Sequence, residues 1–173
     1  MRLIDAPRCP YCARVRIALA EKGVDHERVE VELSHRPDWL LELNPPSGRV
    51  PVLDGVPESE VIMELLEETH PHPQLLPTEP TERANARCLV QRFDANLGDD
   101  YYAFRRGDAN DLAGALERLE VGHSLFADIA YVPWVIRARD MLGVTLPPHV
   151  ASWLAELERR PSIAAEVELV RAL

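Results

Sequence analysis

Cysteine is scarce in this chain. Three cysteines in 173 residues exclude a small scaffold stapled by disulfides, and an odd count suits a reducing compartment. Only two of them, Cys9 and Cys12, are close in sequence. Zinc needs four ligands, so a structural zinc site lacks its second pair, and no metal is expected. Long apolar runs are also missing. No stretch approaches the ~20 residues of a membrane span. The first residues carry no basic region followed by a long apolar stretch, so no signal peptide is expected and the cytoplasm is the expected compartment. Basic residues are in the minority, with 19 Lys and Arg against 29 Asp and Glu for a net charge of −10. That balance argues against nucleic acid or an anionic membrane as the main partner, because both select for basic patches. Internal repeats and low-complexity segments are absent as well. What remains is 46% hydrophobic, in a chain long enough for one large or two small domains with a proper core.

The chain is organised around Arg8-Cys9-Pro10-Tyr11-Cys12. A short apolar strand around Leu3 and Ile4 precedes this stretch, and a helical run over 13–22 follows it. Proline is favoured at the first helical position, where its missing N–H would be unpaired anyway. This puts Cys9 at the helix N-cap. The first-turn N–H groups and the positive end of the helix dipole then favour an anion at the Cys9 sulfur. A free thiol titrates near ~8.5, and a helix N-terminus or nearby cations lower this to roughly 3.5–7.5. Arg8 and Arg14 are the nearby cations. Cys9 reads as an activated thiolate and Cys12 as its candidate resolving partner. A zinc half-site and a pair of inert buried thiols are the competing readings, and strand–Cys-Pro-x-Cys–helix favours redox or thiol-transfer chemistry.

Along the chain, the helix from Pro10 stops at Gly23. Residues 26–33 alternate, with Val29, Val31 and Leu33 on one face, and read as a strand parallel to the first. A short helix is expected over 34–43 and a loop over 44–48. Val50-Pro51-Val52-Leu53 is the third strand, and Asp54-Gly55 is a two-residue hairpin turn into a fourth. Ser59 is expected to cap the next helix, whose apolar positions are Val61, Ile62, Leu65 and Leu66. The order is β-α-β-α-β-β-α over residues 1–72. Prolines 73, 77 and 80 mark a linker over 73–80. Residues 81–173 read as all-helical, with helices around 86–97, 112–119, 128–142 (containing Pro133), 150–157 and 163–170.

This layout, an α/β thioredoxin-like domain with a cysteine at its first helix followed by an all-α domain, resembles the glutathione S-transferase family over essentially the whole chain. Cys9-Pro10-Tyr11-Cys12 resembles the active site of its cysteine-type members: omega-class transferases, dehydroascorbate reductases and glutaredoxin-2-like proteins. Asn44-Pro45 with Gly48 and Val50-Pro51-Val52-Leu53, Pro57-Glu58-Ser59, and Phe126-Ala127-Asp128-Ile129-Ala130 resemble three further family segments. The resemblance implies glutathione as co-substrate. It makes Pro51 cis, pairs the Val50 backbone with the cysteinyl part of glutathione, and puts Glu58 and Ser59 at its γ-glutamyl end. Arg36 stands where omega-class members carry a lysine near the tripeptide. Asp128 is expected to stabilise a helix start.

The tyrosine- and serine-type members need a hydroxyl near the end of the first strand, and this chain has Ala6 and Pro7 there. A cysteine favours a covalent mixed disulfide instead, hence thiol–disulfide exchange. The second substrate, a small disulfide or electrophile, is expected between the domains, with Tyr11, Tyr101, Tyr102, Arg105 and Trp134 as candidate walls. Two loops look trimmed relative to the family. One is the turn between the third and fourth strands. The other precedes Phe126, where Leu125 takes the place of the usual serine or threonine cap. The expected function is a glutathione-dependent thiol transferase or disulfide reductase, homodimeric as most members are. The alternatives are a non-enzymatic scaffold of the kind that stringent-starvation-type members form on RNA polymerase, and a glutathione-dependent isomerase or lyase.

Overall fold

The computed structural model describes residues 1–173. The chain divides into two compact units, Met1–Gln74 together with Leu173, and Leu75–Ala172. The division falls inside the proline-rich stretch.

In the first unit, a four-stranded sheet has the order β2-β1-β3-β4. The strands are β1 (Arg2–Asp5), β2 (Glu27–Glu30), β3 (Val52–Leu53) and β4 (Val56–Pro57). β1 and β2 run parallel, with Ile4 beside Val29, while β3 is antiparallel to both β1 and β4. The parallel pair needs a crossover, and α1 (Pro10–Lys22) supplies it. α1 buries Cys12, Ala13, Val15, Ile17, Ala18 and Leu19, so it is apolar over more than one face, as a helix packed on a sheet should be. Gly23 ends it in the left-handed conformation at φ 63°, its N–H reaching the Leu19 and Ala20 carbonyls. At the same end, Lys22 forms a buried ion pair with Glu67 and donates to the His70 carbonyl at 2.8 Å. This ties α1 to the C-terminal end of α3 (Ser59–Thr69).

Several elements are shorter than the sequence suggests. β2 ends at Glu30 rather than residue 33. Its partner β1 offers four residues, and one last bond, Val31 N–H to Asp5 O, closes the ladder. The second helix, α2, spans Trp39–Leu43. Pro37 pushes the residue before it out of the helical region, so the helix cannot start at residue 34. Pro51 has no N–H to give to a ladder, and β3 begins after it. Ser59 is the first residue of α3, not its cap. The cap is Glu58, at φ 70°.

The second unit is helical: α4 (Pro80–Gln91), α5 (Asp99–Arg106), α6 (Leu112–Glu117), α7 (Leu125–Asp140), α8 (Pro148–Leu157) and α9 (Pro161–Arg171). The helix expected over 86–97 runs on through a π-helical turn at Asp94–Gly98 into α5. Gly98 is required there, because a Cβ would stand 2.7 Å from both Phe93 Cε1 and Asp94 Oδ1. α7 is the centre of this unit, buried continuously from Phe126 to Ala138. Its cap is Ser124 rather than Leu125, and the Ser124 hydroxyl accepts from the Ala127 N–H at 3.2 Å. Asp128, one turn in, accepts from the Gly122 N–H and from Trp153 Nε1, both at 3.0 Å. Arg137 pairs with Glu166 at 2.9 Å inside the unit and donates to the Pro133 carbonyl. No helix is long and apolar enough to cross a membrane.

Candidate functional site

The site starts at the turn that joins β1 to α1. Cys9 is the N-cap of α1 and Pro10 its first residue, as the sequence order requires. The Cys9 N–H closes the turn by donating to the Ala6 carbonyl at 2.9 Å. Its thiol is 3.9 Å from the Val50 carbonyl oxygen, and the whole residue is 7% exposed. The Val50–Pro51 peptide is cis, and its Val50 carbonyl is the one beside the thiol. Cys12 lies deeper, fully buried, in an apolar cluster with Ile4, Ala6, Leu40, Val50 and Val52. No disulfide joins the two thiols. Burial pushes the Cys12 thiol well above its ordinary pKa. A hydrogen bond to Cys9 and the charges of Cys9 and Asp5 push the same way, against an opposing hydrogen bond from the Ala6 N–H.

A second layer comes from α1 itself. Arg14 is buried and reaches the start of α3, with Nη1 3.4 Å from the Ser59 hydroxyl. Its guanidinium also stands 5.2 Å from the centre of the Tyr11 ring. Arg14, which the sequence offers as a cation near Cys9, thus also hydrogen-bonds Ser59. Glu60 sits on the same turn of α3. Burial raises its carboxyl above the usual range, against a lowering by Arg14. Glu58 holds a left-handed backbone at φ 70°, a conformation that costs a non-glycine residue on the order of 1–3 kcal/mol and clusters at functional sites.

The remaining candidates are placed as follows. Arg36 is exposed and donates to the Ser47 and Gly48 carbonyls, both at 3.4 Å, so it braces the loop before Val50. In the second unit, Trp134 is fully buried and Tyr101 is 2% exposed. Both rings are packed in that unit's interior and present no free wall. Tyr102 is half-buried and accepts from Trp134 Nε1 at 3.4 Å, and Arg105 is exposed. A cavity of about 620 Å³ opens beside the turn before Cys9, lined by Pro7, Arg8, Val31, Glu32 and Leu33 among others. Sequence reasoning passed over Asp5, Arg16 and Arg28. Asp5 is fully buried and binds both arginines, Arg16 Nη1 at 2.6 Å and Arg28 Nε at 2.8 Å. The signal available for it was a carboxylate in a strand whose other inner residues are leucine and isoleucine. Nowhere do three or more His, Cys, Asp or Glu side chains converge to hold a metal ion.

Residues 3–74 match the family model described as glutathione S-transferase, N-terminal domain. The chain is similar to glutathione S-transferase omega-2 of Mus musculus, 30% identical over 95% of this chain and 77% of that one. A stringent starvation protein A homolog of Haemophilus influenzae is 39% identical over 64% of this chain and 53% of its own length. Among solved structures, rice GST1 in complex with glutathione superposes with a TM-score of 0.78 at 27% identity, covering 99% of this chain and 94% of that one.

Proposed function

The chain belongs to the glutathione S-transferase family, and from that premise we propose that it is a glutathione-dependent thiol transferase with Cys9 as its nucleophile. One observation carries the reading. The residue at the N-cap of α1 is a cysteine whose sulfur lies 3.9 Å from the carbonyl of the cis Val50–Pro51 peptide. Ala6 and Pro7, where a hydroxyl would be needed to hold glutathione as a bound thiolate, supply none.

In this scheme the Cys9 thiolate attacks the glutathionyl sulfur of a mixed disulfide. A Cys9–glutathione disulfide forms, and the other half leaves as a thiolate that takes a proton from water. A second glutathione then attacks the glutathionyl sulfur, giving glutathione disulfide and restoring the Cys9 thiolate. The Val50 backbone, with its cis proline, pairs with the cysteinyl segment like an added strand. Ser59 and Glu58 take the γ-glutamyl end at the N-terminus of α3, where free N–H groups favour its carboxylate. Cys12 is the alternative resolving thiol to that second glutathione, and Arg36 keeps the 44–49 loop in register for Val50. The cavity beside Pro7 and Arg8 has room for the group that glutathione is exchanged against. The reading includes a homodimer in a reducing cytoplasm.

The test is glutathione-dependent reduction of a small mixed disulfide. The unsubstituted protein should turn over, and Cys9→Ser should lose at least a hundredfold in kcat/KM with its secondary structure intact. If the unsubstituted protein neither turns over nor binds glutathione, the non-enzymatic scaffold reading takes its place. The similarity to a stringent starvation protein A homolog favours that second reading.

A further inference from the structure

The second unit carries a small polar cavity that the scheme above does not use. It holds about 220 Å³ and is lined by Leu89, Arg92, Ala95, Asn96, Arg118 and Glu120. All six belong to the unit Leu75–Ala172. Leu89 and Arg92 come from α4 and its C-terminal cap, Ala95 and Asn96 from the π-helical turn Asp94–Gly98, and Arg118 closes α6. A π-turn inside a helix is frequently found at a functional site. This one is held by Tyr131 of α7, which is 3% exposed. The Tyr131 hydroxyl donates to the Leu89 carbonyl at 2.6 Å and accepts from Asn96 Nδ2 at 3.1 Å. A tyrosine hydroxyl has one proton to give. That proton goes to Leu89, so Asn96 must turn its amide N–H toward Tyr131. Its Oδ1 is left as an acceptor without a protein partner at the cavity wall.

The charge at these walls runs against that of the whole molecule. In a chain of net charge −10, the cavity is lined by two arginines and one carboxylate. The Arg92 guanidinium has no ion-pair partner in the protein. Arg118 is steadied by Asp111, whose Oδ2 takes its Nη2 at 3.0 Å, and its other N–H groups remain for a ligand. Glu120 has His123 Nε2 at 3.5 Å. We propose that this cavity binds a free acidic α-amino acid, glutamate or aspartate. Such a molecule carries two carboxylates and one ammonium, the complement of two guanidiniums and one carboxylate. Arginine presents its N–H groups as a planar fork that matches a carboxylate. Glu120 and Asn96 Oδ1 are acceptors for the ammonium, and Leu89 and Ala95 give the methylene groups an apolar surface. Size agrees. Drug-sized ligands take pockets of roughly 300–1,000 Å³, so this one suits a smaller molecule. Phosphate or a plain dicarboxylate would answer the arginines but set an anion against Glu120. A neutral amino acid would leave one arginine unanswered. The γ-glutamyl end of glutathione shares the α-amino and α-carboxylate groups, and the test separates the two sources.

The experiment is isothermal titration calorimetry of the full chain with L-glutamate, and separately with succinate, L-alanine, inorganic phosphate and glutathione. L-Glutamate should bind once per chain. It should bind at least tenfold more tightly than succinate, which lacks the ammonium, and than L-alanine, which lacks the second carboxylate. Arg92→Met should weaken L-glutamate at least tenfold. Glu120→Gln should remove the preference for L-glutamate over succinate. Both side chains are exposed, so neither change disturbs the core. The site stands apart from the thiol-transfer reading, and its outcome does not depend on turnover at Cys9. No binding of L-glutamate at millimolar concentration overturns the proposal, and so does full affinity in Arg92→Met. Succinate or phosphate binding as tightly as L-glutamate makes this a site for anions in general and overturns the assignment to an amino acid. A second glutathione-binding event that Arg92→Met removes gives the site to the γ-glutamyl end of glutathione and overturns it as well.

Discussion

The choice of residue at a few backbone positions sets what this site can do. Glu58 is the clearest case, because its left-handed φ of 70° suits glycine, and a glutamate there carries a stability cost that its proposed hold on the γ-glutamyl end would explain. Glu58→Gly is expected to stabilise the unliganded protein by about 1 kcal/mol in urea titration while raising KM for glutathione. If stability and KM both stay put, Glu58 has neither role. Ser59 is a second case. Its hydroxyl accepts from buried Arg14 and faces the place proposed for a carboxylate. Ser59→Ala removes a hydrogen bond to a charged group, about 1.5–3 kcal/mol. That corresponds to a loss of glutathione affinity of roughly ten- to a hundredfold. Calorimetric titration reads this directly, and a change below twofold would place the γ-glutamyl end elsewhere.

Among the elements, α7 depends most on one side chain near its start. Asp128 serves the Gly122 N–H and Trp153 Nε1 at once, so it joins the loop before the helix to α8. Burial raises its carboxyl above the usual range, the hydrogen bonds from Gly122 and Trp153 and the nearby His123 and Arg160 pulling it partly back. A carboxyl raised on folding binds its proton more tightly in the native state. Its favourable contribution is complete below the unfolded pKa of ~3.9 and is lost as pH rises through the folded value. The ionised group at neutral pH is retained for its two hydrogen bonds. Asp128→Ala strands two donors and should cost about 1–3 kcal/mol. Asp128→Asn keeps an acceptor, so relative to the parent it should gain stability as pH rises from about 4 to about 7. Urea unfolding across that range checks both, and a pH-independent difference would mean that Asp128 is not desolvated. By comparison, the Arg137–Glu166 pair is a plain interior contact whose loss on one side leaves a buried charge.

At the scale of the whole molecule, each unit has its own core, and the proposed glutathione site is built from the first: β1, α1, the cis Val50–Pro51 peptide and the start of α3. Ligand that binds the native state alone must stabilise it by mass action. At about 100 times Kd the gain is about 2.7 kcal/mol. Differential scanning calorimetry should show a transition that rises with glutathione concentration, and a smaller rise at the same concentrations for the Ser59→Ala protein. A melting profile indifferent to glutathione would argue for the scaffold reading.

The sequence by itself determined a good deal. Cys-Pro-x-Cys after a short strand determined the N-cap cysteine, since proline fits only the first turn of the helix it begins. Asp54-Gly55 determined the hairpin, and both residues indeed take positive φ. Helical periodicity marked most of the second unit. What it left undecided needed contacts between residues far apart in the chain. The ends of β2 and α2 were set by the length of a partner strand and by Pro37, not by hydrophobic alternation. Trp134 and Tyr101 carried the same aromatic signal that a binding wall would, and only packing showed them to be interior. Arg14 could be assigned to Ser59, and Asp5 to Arg16 and Arg28, only once β1, β2, α1 and α3 were side by side. A buried charge has no pattern of its own in a sequence, because its meaning lies in which partners the fold brings within 3 Å or so.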